Sequence, residues 1–186
     1  AGVLLILLSP ILLVLSIIIK LDSEGPVMFR QVRVTTYGKT FRIFKFRTMV
    51  NHADRLGTQV TTKGDARVTR VGKVIRKCRL DELPQLLNIL TGDMTFVGTR
   101  PEVEKYVAHY TNEMKATLLL PAGVTSIASI EYKDEERLLE NAQDADEVYI
   151  HQVLPEKMKY NLQAIREFSF WKDIKTMFAT VAAVLH

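Results

Sequence analysis

The chain has 186 residues, a formal net charge of +4 and one cysteine, Cys78. This length suits one membrane segment plus one compact domain, and a single cysteine excludes an intramolecular disulfide framework. The charge is unevenly distributed, with a net of +11 over residues 20–80 (15 Lys and Arg, 4 Asp and Glu) and of −7 over residues 81–186 (10 and 17). A basic half that follows an uncharged N-terminal segment favours the cytoplasmic face and contact with anionic headgroups or phosphorylated ligands. We expect no nucleic-acid partner, because no helix-turn-helix, zinc or RNA-binding signature accompanies the basic residues.

Residues 1–19 carry no charge and are mostly Leu, Ile and Val. A straight helix of this length measures about 28 Å, close to the roughly 30 Å of a bilayer core. Pro10 cannot donate to the carbonyl one turn earlier, and the Ser9 hydroxyl can bond there instead, so the pair predicts a kink. A kinked spanning helix and a re-entrant hairpin both fit this pattern, whereas a signal peptide does not, because no basic n-region or cleavage site is visible. We expect a membrane helix-break-helix over residues 1–20 and a cytoplasmic domain over residues 21–186.

Two strands are predicted next, over residues 27–34 and 40–46, with Tyr37-Gly38-Lys39 as the turn between them. Basic residues interleave with apolar ones along both strands. A polar loop is predicted over residues 50–67, where two glycines interrupt the pattern. The sequence therefore indicates a β-hairpin followed by a loop.

A helix is predicted over residues 69–78, with basic residues away from its apolar face. Cys78 completes an apolar set with Val71, Val74 and Ile75 at helical spacing. Free cysteine behaves as a small hydrophobic residue more often than as a nucleophile. We therefore expect Cys78 to lie in the core.

The next predicted helix runs from about Asp81 to Leu90 and ends at Gly92. It begins with two adjacent carboxylates, Asp81 and Glu82. The amides at a helix N-terminus stabilise negative charge and can dock phosphate oxygens. A carboxylate there can attack phosphorus, and its neighbour can help hold Mg²⁺, which prefers hard oxygens and substrate phosphates. The alternative is an acidic pair that only complements the helix dipole.

Later segments are predicted to be mostly helical. The sequence Thr99-Arg100-Pro101-Glu102 indicates a helix start with Pro101 at the first helical position. Residues 134–166 are highly charged and mostly helical, interrupted near Pro155. The aromatic and apolar residues of 170–185 lie at nearly helical spacing, which fits either an amphipathic helix in the membrane interface or an ordinary core helix.

Four cations near these segments, Lys45, Arg47, Arg76 and Arg100, could clamp a diphosphate. Solvated surface or headgroup contact is the alternative for each of them. The four histidines show no metal-ligand spacing. The chain has no Walker A loop, no Gly-x-Gly-x-x-Gly and no Gly-x-Ser-x-Gly motif, so kinase, dehydrogenase and hydrolase-triad chemistries have no support.

Together the motifs resemble the bacterial sugar transferase family, specifically its small monotopic phosphoglycosyl transferases. The resemblance is carried by the apolar segment with Ser9-Pro10 and by residues 25–33, 44–49, 72–76, 80–94 and 97–101. Thr99 stands where many members have Pro, and Ala122-Gly123-Val124-Thr125-Ser126 departs from the Pro-Gly-(Ile/Leu)-Thr-Gly run of larger relatives. These departures indicate the small-enzyme subgroup, without a large multi-span region, and they weaken the correspondence after residue 101.

The resemblance implies a helix-rich α/β (α+β) monotopic membrane protein. A re-entrant helix kinked at Ser9-Pro10 would dip into the cytoplasmic leaflet of the bacterial inner membrane. A compact catalytic domain with a small β-hairpin and amphipathic interface helices would lie on that face, and a homodimer is compatible with such helices.

The resemblance also implies a reaction, the transfer of a phosphosugar from a UDP-sugar to a polyprenol (undecaprenyl) phosphate with release of UMP. By the same resemblance, Asp81 would be the nucleophile and Glu82 would help hold Mg²⁺. Arg76, Arg100 and, more weakly, Lys45 would bind phosphate. Two other hypotheses stay open: a membrane-anchored, non-enzymatic module that binds lipid or protein, and a phosphatase or hydrolase that uses the same aspartyl-phosphate chemistry with water as acceptor.

Overall fold

The computed structural model describes residues 1–53, 56, 61, 64–140, 142 and 144–185. The polar loop predicted over residues 50–67 lies partly outside them. The helices are α1 (Gly2–Asp22), α2 (Arg70–Lys77), α3 (Leu86–Leu90), α4 (Glu104–Val107), α5 (Ile127–Glu131), α6 (Glu135–Leu138), α7 (Ala145–Val148), α8 (Leu154–Arg166) and α9 (Phe170–Leu185). The strands are β1 (Met28–Val34), β2 (Thr40–Phe46), β3 (Met94–Val97) and β4 (Ala122–Thr125). The fold is therefore a helix-rich α/β arrangement with small sheets.

The N-terminal helix α1 is long and apolar enough to cross a membrane, judged by its length and composition. Most of its side chains are exposed, but Leu15 and Ile19 near its C-terminal end are buried in a cluster with Phe46 of β2 and Ile75 of α2. The Ser9 hydroxyl donates to the Ile6 carbonyl at 2.8 Å, as its position beside Pro10 predicts. Helix α1 is thus buried against the domain near its C-terminal end, and its N-terminal end also lies beside α3, where a Cβ atom on Gly2 would be 3.9 Å from Leu90. The bend at Ser9-Pro10 and the re-entrant course stay predictions.

The predicted hairpin is confirmed. Strands β1 and β2 pair antiparallel from Met28 opposite Phe46 to Val34 opposite Thr40. The chain reverses through a short 3₁₀ turn, Thr36–Gly38, in which Tyr37 takes a positive φ of 56°. The hairpin brings Lys45, near the end of β2, beside the segment that carries the two carboxylates.

A second sheet, which the local sequence does not predict, joins β3 and β4 in parallel. The two backbones stay close beside this sheet because Gly98 and Gly123 carry no side chains. A Cβ atom at Gly123 would lie 2.1 Å from the amide nitrogen of Gly98. The short sheet therefore fixes the segment that leads from β3 to Arg100.

The helix predicted over residues 69–78 is confirmed as α2, and its N-terminus is capped by the Thr69 hydroxyl, which accepts from the Gly72 amide at 2.9 Å. The expectation for Cys78 is wrong, because its side chain is exposed. The helix has only eight residues and buries one narrow face around Ile75, while Val74 is 63% exposed. Cys78 lies past the end of that face.

The helix predicted from Asp81 is wrong in its first half. Residues Leu80–Gln85 form a 3₁₀ segment, and α3 begins only at Leu86. Arg79, which precedes the segment, has a φ of +52° and separates it from α2. The predicted end is confirmed, since Gly92 has a φ of +82° just after α3. The two carboxylates therefore lie on a tight turn and not on the first turn of an α-helix.

The helix start predicted at residues 99–102 is also wrong, because α4 begins at Glu104. The preceding residues pair with β1 through their carbonyls. The Pro101 carbonyl accepts from Arg33 at 3.1 Å, and the Glu102 carbonyl accepts from the Val34 amide at 2.9 Å. These bonds hold the segment extended beside the hairpin.

The mostly helical character of residues 134–166 is confirmed. A π-helical turn, Tyr149–Val153, runs into α8, and the change of helix type falls just before Pro155. Around this turn lies the larger core cluster, to which α4 contributes Tyr106. The Tyr106 hydroxyl donates to Asp146 of α7 at 2.5 Å, and Lys105 contacts the same carboxylate at 2.6 Å. The C-terminal helices therefore form a unit tied to the segment after Arg100.

The last helix, α9, leaves four of its large apolar side chains exposed. Phe170, Trp171 and Phe178 are between 64 and 73% exposed, and Val181 is 59% exposed. The opposite side of the helix packs on the domain, as in a core helix. Thr176 is buried there, and the Thr180 hydroxyl is 2.6 Å from the Thr125 hydroxyl of β4. The helix is thus attached along one side and presents an aromatic side outward.

Candidate active site

A cavity of about 300 Å³ opens between the hairpin, the 3₁₀ segment and the C-terminal helices. Four of the side chains predicted to act in the site line it: Lys45, Arg76, Asp81 and Arg100. Glu82 lies against this group through ion pairs with two of its cations. The structure thus brings together all five residues that the sequence assigns to the reaction, from three separate parts of the chain.

Asp81 is the carboxylate that faces the cavity. It is only 9% exposed, and one of its oxygens lies 3.9 Å from the Lys45 ammonium. Burial raises the pKa of Asp81 above its ordinary value, and the nearby charge of Lys45 partly opposes that shift. Arg76 and Arg100 also favour the ionised form. Asp81 is therefore a poorly hydrated carboxylate held among cations.

Glu82 points its carboxylate at two cations. One oxygen accepts from Lys45 at 3.0 Å and also from Arg100, and the second accepts from Arg100 at 3.2 Å. Burial disfavours the charge of Glu82, but the charges of Arg100 and Lys45 outweigh it and hold the pKa well below its usual range. Adjacent carboxylates thus have opposite environments, with Glu82 fully committed to ion pairs and Asp81 open to the cavity.

The two cations are held firmly by these carboxylates. The charge of Glu82 raises the pKa of Arg100 above its already high value. Burial lowers the pKa of Lys45, and the charge of Glu82 partly offsets it. Since Glu82 pairs with both, it fixes the positions of two donors at the cavity wall. Cations fixed in this way can stabilise charge that develops on a phosphoryl group.

Arg47, also considered as a phosphate ligand, has a different set of partners. It is 5% exposed and bonds the turn after α1: to the Pro26 carbonyl at 2.6 Å, to the Ser23 hydroxyl and carbonyl at 2.9 and 2.8 Å, and to the Glu24 carbonyl at 2.5 Å. The guanidinium therefore joins β2 to the end of α1.

Mg²⁺ in nucleotide-dependent enzymes takes one or two carboxylates, waters and substrate phosphates. In the described part of the chain, no three or more His, Cys, Asp or Glu side chains form a group that could hold a metal. Asp81 fits a metal that is shared with substrate phosphates, because it is a hard oxygen donor at the cavity wall. A metal on Glu82 would have to displace Lys45 or Arg100 from its oxygens. The ligand role of Glu82 stays a prediction.

Further polar residues line the same cavity, and five of them were missed from the sequence as one group: Arg33, Glu102, Glu135, Tyr149 and Lys157. They come from β1, the segment before α4, α6, the π-helical turn and α8. One local signal existed, because Lys157 lies on the buried face of α8 with Leu154, Met158 and Asn161. A lysine on a buried helix face needs a partner, which indicates a polar site inside the fold.

The arrangement has a definite chemical capacity. A partly desolvated carboxylate faces a cavity whose wall also presents a lysine and two arginines. Such a set can bind a diphosphate, neutralise the charge of a leaving phosphate and attack phosphorus.

Comparison with known proteins agrees with this capacity. The family model described as bacterial sugar transferase matches residues 1–186. A relative from Aeromonas hydrophila, named UDP-N-acetylgalactosamine-undecaprenyl-phosphate N-acetylgalactosaminephosphotransferase, is 39% identical over 96% of this chain and 40% of its own length. Two proteins named UDP-glucose:undecaprenyl-phosphate glucose-1-phosphate transferase are also similar. The one from Escherichia coli K12 is 38% identical over 97% of this chain and 37% of its own length. The one from Caulobacter vibrioides is 35% identical over 100% and 66%.

The chain therefore spans about two fifths of the length of the first two relatives. The matched region includes both the apolar helix and the whole cavity wall, because the family model extends over every residue. The chain belongs to the bacterial sugar transferase family.

Proposed function

We propose that this protein transfers a phosphosugar from a UDP-sugar to a polyprenol phosphate, such as undecaprenyl phosphate, and releases UMP. The observation that carries the proposal is the position of Asp81 at the cavity wall beside Lys45, Arg76 and Arg100. The names of the three relatives support the same general reaction with UDP-linked sugars and undecaprenyl phosphate.

In the first step, an oxygen of Asp81 attacks the phosphorus that bears the sugar. A bond forms between that oxygen and phosphorus, the bond to the bridging oxygen of the diphosphate breaks, and UMP leaves with the electron pair. Lys45 and Arg100 lie where they can neutralise the oxygens of the diphosphate, and Glu82 keeps both cations in place. The product is a phosphosugar joined to Asp81 as a mixed anhydride.

In the second step, a phosphate oxygen of the polyprenol phosphate attacks the same phosphorus. The bond to Asp81 breaks, the carboxylate is regenerated, and a polyprenyl diphosphate sugar leaves. One phosphoanhydride is consumed and one is formed, so the exchange needs no ATP. This accounts for a site built from a carboxylate and cations without a nucleotide-triphosphate loop.

Mg²⁺ would be held by Asp81 together with substrate phosphates, and Glu82 stays the second candidate ligand. When bound, the ion would supply positive charge to the diphosphate. The cations of the chain alone do not neutralise a diphosphate fully, because Glu82 already pairs with two of them. We therefore propose that activity depends on Mg²⁺.

The lipid acceptor fits the apolar parts of the molecule. Helix α1 leaves Leu21 82% exposed and Ile6 75% exposed, and α9 presents its aromatic side outward. We propose that α1 enters the bacterial inner membrane from the cytoplasmic side and returns to it, with α9 in the interface. Residues 20–80, which follow α1, carry 15 Lys and Arg but only 4 Asp and Glu. This supports the cytoplasmic side, because Lys and Arg are enriched on the cytoplasmic side of membrane proteins.

The test is UMP release from a panel of UDP-sugars by the full chain in lipid nanodiscs, with and without undecaprenyl phosphate and with Mg²⁺ or a chelator. We expect sustained release to need both the lipid and Mg²⁺; without the lipid, at most one UMP per protein chain should be released, because UMP leaves in the first step. Asp81→Asn should lower turnover by about 10⁴-fold or more, since a nucleophile cannot be replaced by an amide. Asp134→Asn is the matched control, because its side chain is 57% exposed and faces Arg137 at 4.0 Å.

Three results would count against the proposal. Normal turnover by the Asp81→Asn variant would remove that residue as the nucleophile. Sustained UMP release without lipid, with free sugar phosphate as the second product, would indicate a hydrolase. Absence of both release and UDP-sugar binding would favour a membrane-anchored binding module.

A further inference from the structure

The five polar residues that sequence reasoning missed form one connected network at the cavity. The Tyr149 hydroxyl donates to Glu102 at 2.5 Å, and the Lys157 ammonium donates to the Tyr149 hydroxyl at 3.0 Å and to Glu135 at 2.9 Å. Arg33 lies 3.8 Å from the second oxygen of Glu102. Lys157 is 4% exposed, so the network is built into the fold and is not a surface cluster. We call these five residues the inner network.

The inner network differs in charge from the group around Asp81. It contains two cations, Arg33 and Lys157, and two carboxylates, Glu102 and Glu135, so its formal charge is zero. A phosphate bound there would meet both carboxylates at short range, which is unfavourable in a partly desolvated cavity. A neutral group rich in hydroxyls meets no such repulsion. Its hydroxyls can donate to the carboxylates and accept from the ammonium, guanidinium and phenol groups.

The network also has hydrogen-bonding capacity that the described residues do not use. The Arg33 Nε atom is buried and has no hydrogen-bond partner among them. The Lys157 ammonium has three donors; it donates to two acceptors and also lies 3.8 Å from a Glu102 oxygen. A buried donor without a partner is rare in native proteins and calls for an explanation, such as a functional role or a bound water or ion. Both donors belong to residues that line the cavity.

Apolar side chains adjoin these polar groups in the same cavity. Val103, Tyr106 and Leu139 line it beside the network and belong to the large core cluster. A pyranose ring presents both hydroxyls and C–H faces, so a wall that combines apolar contacts with a few placed polar groups suits it.

Arg100 connects the two parts of the cavity. Its guanidinium binds Glu82, and its charge also interacts with Glu135 and Glu102. In a UDP-sugar the sugar is bonded directly to the phosphate that Asp81 would attack. A sugar site must therefore adjoin the phosphate-binding cations, and the inner network has this position.

We propose that the inner network is the subsite for the sugar of the UDP-sugar, and that it selects the donor by the hydroxyl or acetamido groups of the ring. The inference rests on the proposed function. Glu135 and Lys157 would be the residues that determine specificity, because both line the cavity and pair with each other at 2.9 Å.

The test compares Glu135→Gln with wild type by calorimetric titration of the full chain in nanodiscs. Titrants are several UDP-sugars and UMP. We expect the variant to bind the preferred UDP-sugar about tenfold more weakly, as for loss of a hydrogen bond to a charged group. Binding of UMP should be unchanged, and the ranking of UDP-sugars should alter. Glu113→Gln is the control, because Glu113 pairs with Arg166 at 2.9 Å on the surface, where both side chains are at least 66% exposed.

A second variant, Tyr149→Phe, covers the case in which Glu135→Gln fails to fold. It removes one hydroxyl and keeps the ring that packs against Tyr106 at 4.7 Å. We expect the same loss of discrimination among sugars with unchanged UMP binding. An equal loss for UMP would assign the network to the nucleotide and overturn the proposal. Unchanged ranking in both variants, or wild type that binds UDP-sugars no more tightly than UMP, would also overturn it.

These readouts separate the two proposals. Sugar-selective binding without any UMP release would refute the transferase reaction and leave the subsite standing. Lipid-dependent UMP release with unchanged sugar selectivity in both variants would refute the subsite and leave the reaction standing.

Discussion

Replacing Glu82 by Gln should destabilise the protein strongly, although the change removes only a charge. Glu82 is 9% exposed and accepts from Lys45 and from both terminal nitrogens of Arg100. Removing one partner of a buried ion pair costs about 3–5 kcal/mol, mainly because the other charge stays buried without compensation. Asp81 remains 3.9 Å from Lys45 and compensates in part. We therefore expect a loss near the lower limit, about 3 kcal/mol.

Thermal unfolding followed by circular dichroism in detergent measures this loss. For a chain of this size, 1 kcal/mol corresponds to roughly 2–4 °C in Tm, so Glu82→Gln should lower Tm by about 6–12 °C. Inorganic pyrophosphate should raise Tm more in the variant than in wild type, because the two uncompensated cations bind the anion more tightly. The control Glu113→Gln breaks an exposed pair and should stay within about 0.5 kcal/mol of wild type. A Glu82→Gln variant with the same Tm as the Glu113→Gln control would refute the reasoning.

Three further results are expected. Gly72→Ala should lower the free energy of unfolding by about 3 kcal/mol or more, because the added Cβ would lie 2.1 Å from the Thr48 carbonyl oxygen. Gly2→Ala is the control in the same unfolding assay. Its Cβ would meet nothing closer than 3.9 Å, so it should be neutral. Asp146→Asn should cost about 1–2 kcal/mol at pH 7. Burial raises the pKa of Asp146, but its hydrogen bonds from lysine and tyrosine outweigh burial and lower that pKa. The advantage of wild type should therefore be complete above the ordinary aspartate pKa and be lost progressively as pH falls from there through the lowered pKa of folded Asp146. A difference that persists below both pKa values would contradict this. Trp171, the single tryptophan, should be quenched by brominated lipids and protected from aqueous iodide in nanodiscs, and quenching by iodide alone would place α9 outside the interface.

The elements that the sequence predicts correctly are those whose determinants are local. The hairpin follows from alternating residues around a short turn, and α2 follows from the Thr69 cap and basic residues off its buried face. The 3₁₀ segment was predicted as an α-helix because Asp81 and Glu82 followed by apolar residues are typical of a helix start. The positive φ of Arg79, which sets the turn, has no such signal in a non-glycine residue.

The errors at Cys78 and Pro101 have tertiary causes. An eight-residue helix buries too narrow a face to include Cys78. Pro101 lies in an extended segment because its carbonyl accepts from Arg33, 68 positions earlier. Neither fact can be inferred from neighbours in the sequence.

The residues of the candidate site also fall into a group that the sequence identifies and a group that it does not. Asp81, Glu82 and the cations were identified because they lie in short motifs that carry a family resemblance. The inner network was missed because its members are spread from Arg33 to Lys157 and become neighbours only in the folded chain. Apart from Lys157, which shares a helix face with Leu154 and Met158, these charged residues cannot be distinguished from surface residues until burial is known.

The hydrogen bonds of Arg47 have a consequence for the lipid substrate. They fasten the end of α1 to the residue that follows β2, and Lys45 lies two positions earlier, on β2 and beside Asp81. The position of Asp81 relative to the end of the apolar helix is therefore fixed by contacts within the protein. Under the proposed reaction, α1 and Arg47 set the depth at which Asp81 can react. An acceptor can then react only when its phosphate reaches that depth, whatever the length of its hydrocarbon tail.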